Sequence, residues 1–272
     1  MKFPQFSESF VRVNKKVKAE DAILLVGLPG VGFASKLAVD HLVKQFKAQR
    51  VATIYSPHFP NQVVATDDGN LKPFVLKFYH KKIGARNVFF LKGDLQPLTV
   101  EGQYEVTGKA LEFFQESGGQ TVYAMAGLVT QPNEKEKERG VHVSSTHKAE
   151  LQRLKKTLSV KINSNYVPIV GMAGLLPTLA PLYNLTGTCM LVETTGEAID
   201  AVAAARLVEI VGKMVKTKIP IEGLKKKAQR AKDNLEKMVK QQQQMSMSPQ
   251  EQPALQGIAP VLPGKDALSY IR

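Results

Sequence analysis

Gly27-Leu-Pro-Gly-Val-Gly32 lies between an apolar run and an amphipathic stretch. A glycine loop joining a strand to a helix is where α/β folds bind phosphate, because unpaired amides and the helix dipole meet there. Gly27 and Gly32 have the spacing of G-x-x-x-x-G-K-[ST], but Phe33 and Ala34 stand where that pattern needs a lysine for the phosphates and a hydroxyl for magnesium. Lys36 is a full turn further on, so triphosphate hydrolysis is not expected. Gly30-Val-Gly32-Phe-Ala-Ser35 supplies two glycines and a serine of the dinucleotide fingerprint. The following strand ends Ile54-Tyr55-Ser56, with no acid to grip a ribose. A tight turn and a close helix–sheet approach also require glycine, and this is the expected use. A small anion held by Gly30, Val31, Gly32 and Phe33 stays compatible with it, since helix N-terminal amides are unpaired.

The other reactive side chains form no recognisable constellation. His41, His58, His80, His142 and His147 have no cysteine or carboxylate at metal-ligand spacing, so structural or surface histidines and no metal are expected. The one cysteine, Cys189, lies in an apolar run and reads as a buried, inert thiol. No G-x-S-x-G elbow is present. Asp94 and Glu101 flank a loop at the end of a strand, where a carboxylate pair can do acid–base work. The simpler reading has Glu101 favouring the N-terminus of the helix after it. No cofactor is implied.

These groups need strands and helices to carry them. Asp21-Ala-Ile-Leu-Leu-Val26 reads as a buried parallel strand. Phe33 to Phe46 has helical apolar spacing, and Val51 to Tyr55 is a second strand, giving a βαβ unit. Val63 to Tyr79, turning at Asp68-Gly69, reads as a hairpin. Asn87–Leu91, Thr121–Ala126, Val141–Ser145 and Thr188–Val192 read as strands. Val100–Phe114, Lys148–Leu158 and Ala198–Val215 read as helices. Gly171-Met-Ala-Gly-Leu-Leu176 reads as a second glycine-containing turn. The expected architecture is an α/β three-layer sandwich over residues 1–220, with a mostly parallel sheet.

The chain has 272 residues, 43% hydrophobic and 22% charged, an ordinary globular balance. Met1-Lys2-Phe3-Pro4 opens no apolar signal region and no stretch is long enough to span a membrane, so a cytoplasmic protein is expected. The net charge is +13, and from Lys213 to Lys240 ten Lys or Arg stand against three acids. A basic helix is expected at 221–245. An exposed solvated face explains such a run, and no aromatics interleave to stack on single strands, so nucleic acid is not the expected partner. Residues 246–272 are rich in Pro, Gln and Gly and read as a flexible linker, yet they end Ala267-Leu-Ser-Tyr-Ile-Arg272. Leu268, Tyr270, Ile271 and Arg272 form an apolar tip suited to docking.

Several of these segments, in this order, resemble the proteasome-assembly-chaperone family in its archaeal form. They are Gly27–Gly32, Gly93-Asp94, Gly171–Leu176, and Glu193-Thr-Thr-Gly196 followed by Asp200-Ala-Val-Ala-Ala-Ala-Arg206, within about residues 20 to 215. The resemblance implies a fold similar to nucleoside phosphorylases without an established catalytic site. It implies homo-oligomers or pairing with a sister subunit, and binding to α-type proteasome subunits during ring assembly. Some members end in a hydrophobic residue, tyrosine and any residue, inserted between α-subunits. Here Tyr270 is third from the end and follows Ser269, so the tip meets either α-subunits or a sister chaperone subunit. A linker of twenty residues, with a span of roughly 25 Å, suits both. The competing readings are a phosphorylase-like enzyme or small-anion-binding protein using the Gly27–Gly32 loop, and a nucleic-acid binder using Lys225, Lys226, Lys227 and Arg230.

Overall fold

The structure is a computed structural model describing residues 7–66, 68–130, 139–163, 168–196, 198–224, 226, 228–230 and 233. The chain divides into two compact units, Met1–Lys232 and Asp233–Arg272, and every numbered strand and helix belongs to the first.

In chain order the elements are β1 (Phe10–Val13), β2 (Ala22–Gly27), α1 (Ala34–Gln45), β3 (Gln49–Tyr55), β4 (Val63–Ala65), β5 (Leu71–Pro73), β6 (Leu76–Ile83) and β7 (Arg86–Gly93). Then come α2 (Val100–Glu116), β8 (Gly119–Val129), β9 (Val141–Ser145), α3 (Lys148–Thr157), β10 (Lys161–Ile162), α4 (Met172–Leu179), β11 (Thr186–Thr194) and α5 (Ala201–Met214). Nine strands form one mixed sheet in the order β1-β3-β6-β7-β2-β8-β11-β9-β10. Its centre, β7-β2-β8-β11, is parallel throughout. All six residues of β2 are buried, as a strand covered on both faces requires.

Residues alternate between two cores. Ile23, Leu25, Val88 and Phe90 pack under α1, α3 and α5, with Leu37, Leu42, Leu154 and Leu207. Leu24, Val26, Phe89 and Leu91 pack under α2 and α4, with Val106, Phe114, Met172 and Leu176. The layers are therefore helix, sheet, helix. Thr99 caps α2, its hydroxyl accepting from the Gly102 amide at 3.0 Å, and Glu101 sits in that first turn. Asp200 caps α5, accepting from the amides of Val202 at 3.0 Å and Ala203 at 2.9 Å.

Three local expectations differ from the structure. The Val63–Tyr79 hairpin is split: exposed β4 and β5 pair with each other, and β6 joins the main sheet because Leu76 and Phe78 have a core face to bury. The pair β6–β7 then stands between β2 and β3, so the strands of the βαβ unit are not neighbours. Gly171–Leu176 opens α4 rather than a turn. Gly171, at φ 78°, precedes the helix, and burial of Met172 and Leu176 outweighs the poor helix propensity of Gly174 and Pro177. Of the expected helix at 221–245, Glu222–Leu224, Lys226, Ala228–Arg230 and Asp233 are described and helical, and the remainder lies outside the described residues.

Candidate functional site

The glycine loop is fixed from several sides. Gly27 ends β2 against α1, and a Cβ there would lie 2.3 Å from the Ser35 carbonyl oxygen and 2.4 Å from Val39. Beyond it, Gly32 (φ 64°) and Phe33 (φ 53°) are consecutive left-handed residues that turn the chain into α1. The Ser35 hydroxyl donates to the Leu28 carbonyl at 2.8 Å. The Gly32 carbonyl accepts from the Asp200 amide at 2.7 Å. A Cβ on Gly32 would meet the Thr194 Oγ1 at 2.8 Å, and that hydroxyl donates to Asp200 Oδ2 at 2.8 Å. These glycines thus let two motifs, Gly27–Gly32 and Glu193–Gly196, close on each other. Gln96 brings in the others: its Nε2 donates to the Pro29 carbonyl at 2.7 Å, and its Oε1 accepts from the Met172 amide at 3.0 Å.

Beside the loop, Lys36 Nζ donates to Asp40 at 2.9 Å and to Asp94 at 3.0 Å, while Lys92 donates to Asp40. Burial alone would push Lys36 down, but the two carboxylates overcome it and hold the amine above its ordinary value. Burial would likewise raise Asp40, and the ammonium groups of Lys36 and Lys92 hold it below the usual carboxylate range. The lysine nearest the loop is therefore engaged by acids of its own chain.

The sequence-derived candidates fall into separate places. Asp94 is tied to Lys36, and Glu101 sits on the first turn of α2. His142 bonds Glu193 at 2.8 Å, and Glu193 also accepts from the Gly140 amide at 2.9 Å. Burial would raise Glu193, and these bonds together with the Lys161 charge bring it below its ordinary value. His58 bonds Glu105 at 3.0 Å and the Thr99 hydroxyl at 3.0 Å. His41 lies 2.6 Å from the Pro220 carbonyl. Burial pushes the Cys189 thiol up to about 12. Among the described residues no group of three His, Cys, Asp or Glu is placed to hold a metal ion, and no helix is long and apolar enough to cross a membrane. The helix expected from Ala198 begins instead at Ala201, so Asp200 was missed as its cap, although an aspartate before an alanine-rich run is a capping signal; nothing in the sequence marks Gln96 as the bridge.

Away from the loop, α2, α4, β9 and β11 border an open groove of about 540 Å³, lined by Val100, Tyr104, Ile169, Leu175 and Gly187. Of the lining residues Val100 is 67% and Tyr104 51% exposed. The expected docking residues Leu268, Tyr270, Ile271 and Arg272 lie outside the described residues.

An uncharacterised protein of Methanocaldococcus jannaschii is 30% identical over 264 residues, covering 95% of this chain and 97% of that protein. Pyrococcus furiosus PbaB, described as an archaeal proteasome activator, superposes with a TM-score of 0.75 at 30% identity, over 85% of this chain and 98% of PbaB. P. furiosus PbaA, described as an archaeal homolog of proteasome-assembly chaperone, gives 0.69 at 25% identity, over 87% and 99%. The sequence profile of the PAC2 family matches residues 24–239, which include the glycine loop, the Gln96 bridge and the Asp200 cap, and the chain belongs to that family.

Proposed function

We propose that this chain is a non-catalytic, cytoplasmic protein-binding factor of proteasome assembly. It acts as a homo-oligomer that engages proteasome α-subunits or a sister chaperone subunit. Leu268, Tyr270, Ile271 and Arg272 serve as the docking tip. The observation that carries the reading is the joint likeness to PbaB and PbaA over more than four-fifths of the chain, since both descriptions concern the proteasome. The interior supports it. The glycine loop is occupied by Ser35, Thr194 and Asp200, and Lys36 by two carboxylates, whereas exposed Val100 and Tyr104 line the open groove. The test is a pull-down of purified α-subunits by the full chain and by a chain ending at Gly264. Capture by the full chain alone makes the tail the docking element. Equal capture moves recognition to the folded unit, and capture by neither removes α-subunits as partners.

A second reading rests on the description of PbaB as an activator. In that case the full chain raises peptide hydrolysis by assembled proteasomes, whereas an assembly factor leaves mature particles unchanged. Retention of inorganic phosphate at Gly30–Phe33 by equilibrium dialysis would instead favour the small-anion reading of the loop.

A further inference from the structure

The sheet face that carries α1 continues past it onto β6, β3 and β1, and there its side chains change character. α1 packs on β2, β7 and β8. On the opposite face of the same strands, Ala52, Ile54, Leu76 and Phe78 are buried beneath α2. On the α1 side the cross-strand register sets Arg12 opposite Thr53, Thr53 opposite Lys77, and Lys77 opposite Lys92. One row thus crosses four strands, about 14 Å at ordinary strand spacing. The next row holds Arg50 opposite Tyr79, and Lys81 lies two positions further along β6. Arg12, Arg50 and Lys81 are exposed, and Lys77 is half-buried.

Like charges directly opposite in a sheet are destabilising, and Lys77 faces Lys92. Lys92 has Asp40 as a counter-ion, whereas none of Arg12, Arg50, Lys77 and Lys81 has an ion pair among the described residues. Burial, with Lys92, Arg50 and Lys72 nearby, pushes the Lys77 amine below its ordinary value against the opposing pull of Asp94. Among the described residues the fold therefore keeps a group of cations on one sheet face without ion-pairing them.

We propose that this face, through Arg12, Arg50, Lys77 and Lys81, docks an acidic polypeptide surface. The inference deepens the protein-binding reading above by naming the chemistry of the partner and where it sits. Single-stranded nucleic acid fits less well because it needs ring faces on which bases stack. The rings here already have partners: Lys92 lies 5.6 Å over Tyr79, and Phe10 stacks on Tyr55 at 5.3 Å and 13°.

The test uses the full chain and three probes: polyglutamate, a single-stranded oligonucleotide and purified α-subunits. The variant is Arg12→Glu/Arg50→Glu/Lys81→Glu. A charge-matched control, Lys148→Glu/Lys155→Glu/Lys156→Glu, changes exposed residues of α3. Thermal melting of both checks folding, and Arg12→Gln/Arg50→Gln/Lys81→Gln replaces the first variant if it melts early. The face variant should lose polyglutamate affinity by on the order of tenfold or more while the control changes little. Wild-type affinity should also fall between about 50 and 300 mM salt. Equal losses in both variants, or an oligonucleotide bound more tightly than polyglutamate and released by the face variant, would overturn the proposal. Polyglutamate binding that depends on the face without α-subunit binding keeps the face and removes α-subunits as the partner. α-Subunits bound equally by wild type and face variant do the reverse.

Discussion

Replacing Gly32 by alanine separates a packing role for the glycine loop from a ligand-binding one. Gly32 has φ 64°, where an L-residue costs about 1–2 kcal/mol. The new Cβ would also stand 2.8 Å from Thr194 Oγ1, which is held by its bond to Asp200. Displacing that hydroxyl forfeits a buried hydrogen bond worth about 1 kcal/mol. Together Gly32→Ala should cost about 2–3 kcal/mol, lowering the melting midpoint by about 4–6 °C for a chain of this size. Gly30, two positions away, is extended at φ −172°, and a Cβ added there would have nothing within 4 Å. Gly30→Ala should therefore stay within about 0.5 kcal/mol of wild type. Urea unfolding followed by circular dichroism, with thermal melts alongside, measures both. A neutral Gly32→Ala, or a Gly30→Ala as damaging as Gly32→Ala, would refute the reasoning.

Removing the α5 cap with Asp200→Ala leaves the amides of Val202 and Ala203 without their acceptor and frees Thr194, and should cost about 1–3 kcal/mol in urea unfolding. Phe89→Ala, in the core beneath α2 where Phe89 meets Phe114 edge-on at 5.6 Å, should cost about 3–5 kcal/mol by the same assay. Asp40 is held below its ordinary 3.8 in the folded protein, so its contribution is fully present above that value and is lost as pH falls through the depressed one. Stability measured against pH should decline below about pH 4 for this reason, and Asp40→Asn should flatten that decline. With its thiol pushed up to about 12, Cys189 should resist iodoacetamide at neutral pH in the folded protein and react on unfolding in urea.

The buried strands were legible because both faces of each are covered. Ile23–Val26 and Phe89–Leu91 are continuous apolar runs, and glycine or a capping residue stops each neighbour. Strand order was not legible. Nothing in the periodicity of Leu76–Ile83 says that β6 and β7 stand between β2 and β3, because that order is decided by which face the long connections cross. β1 escaped notice because it is four residues long at a sheet edge, with two of them exposed. α4 was hidden by Gly171, Gly174 and Pro177, whose low propensity is overridden by the buried Met172 and Leu176. At the candidate site, the motifs showed that the chain turns tightly, and the Thr194–Asp200–Gly32 lock showed against what. The basic face of β1, β3 and β6 was invisible in sequence because Arg12, Arg50 and Lys77 come from distant segments and meet only through strand register.

The most direct measurement is native mass spectrometry of the purified full chain mixed with purified proteasome α-subunits from the same organism. The account predicts a defined complex of the two proteins, lost when the α-subunits are omitted and weakened by the Arg12→Glu/Arg50→Glu/Lys81→Glu variant. Free α-subunits beside the unbound chain, at concentrations well above micromolar, would contradict it.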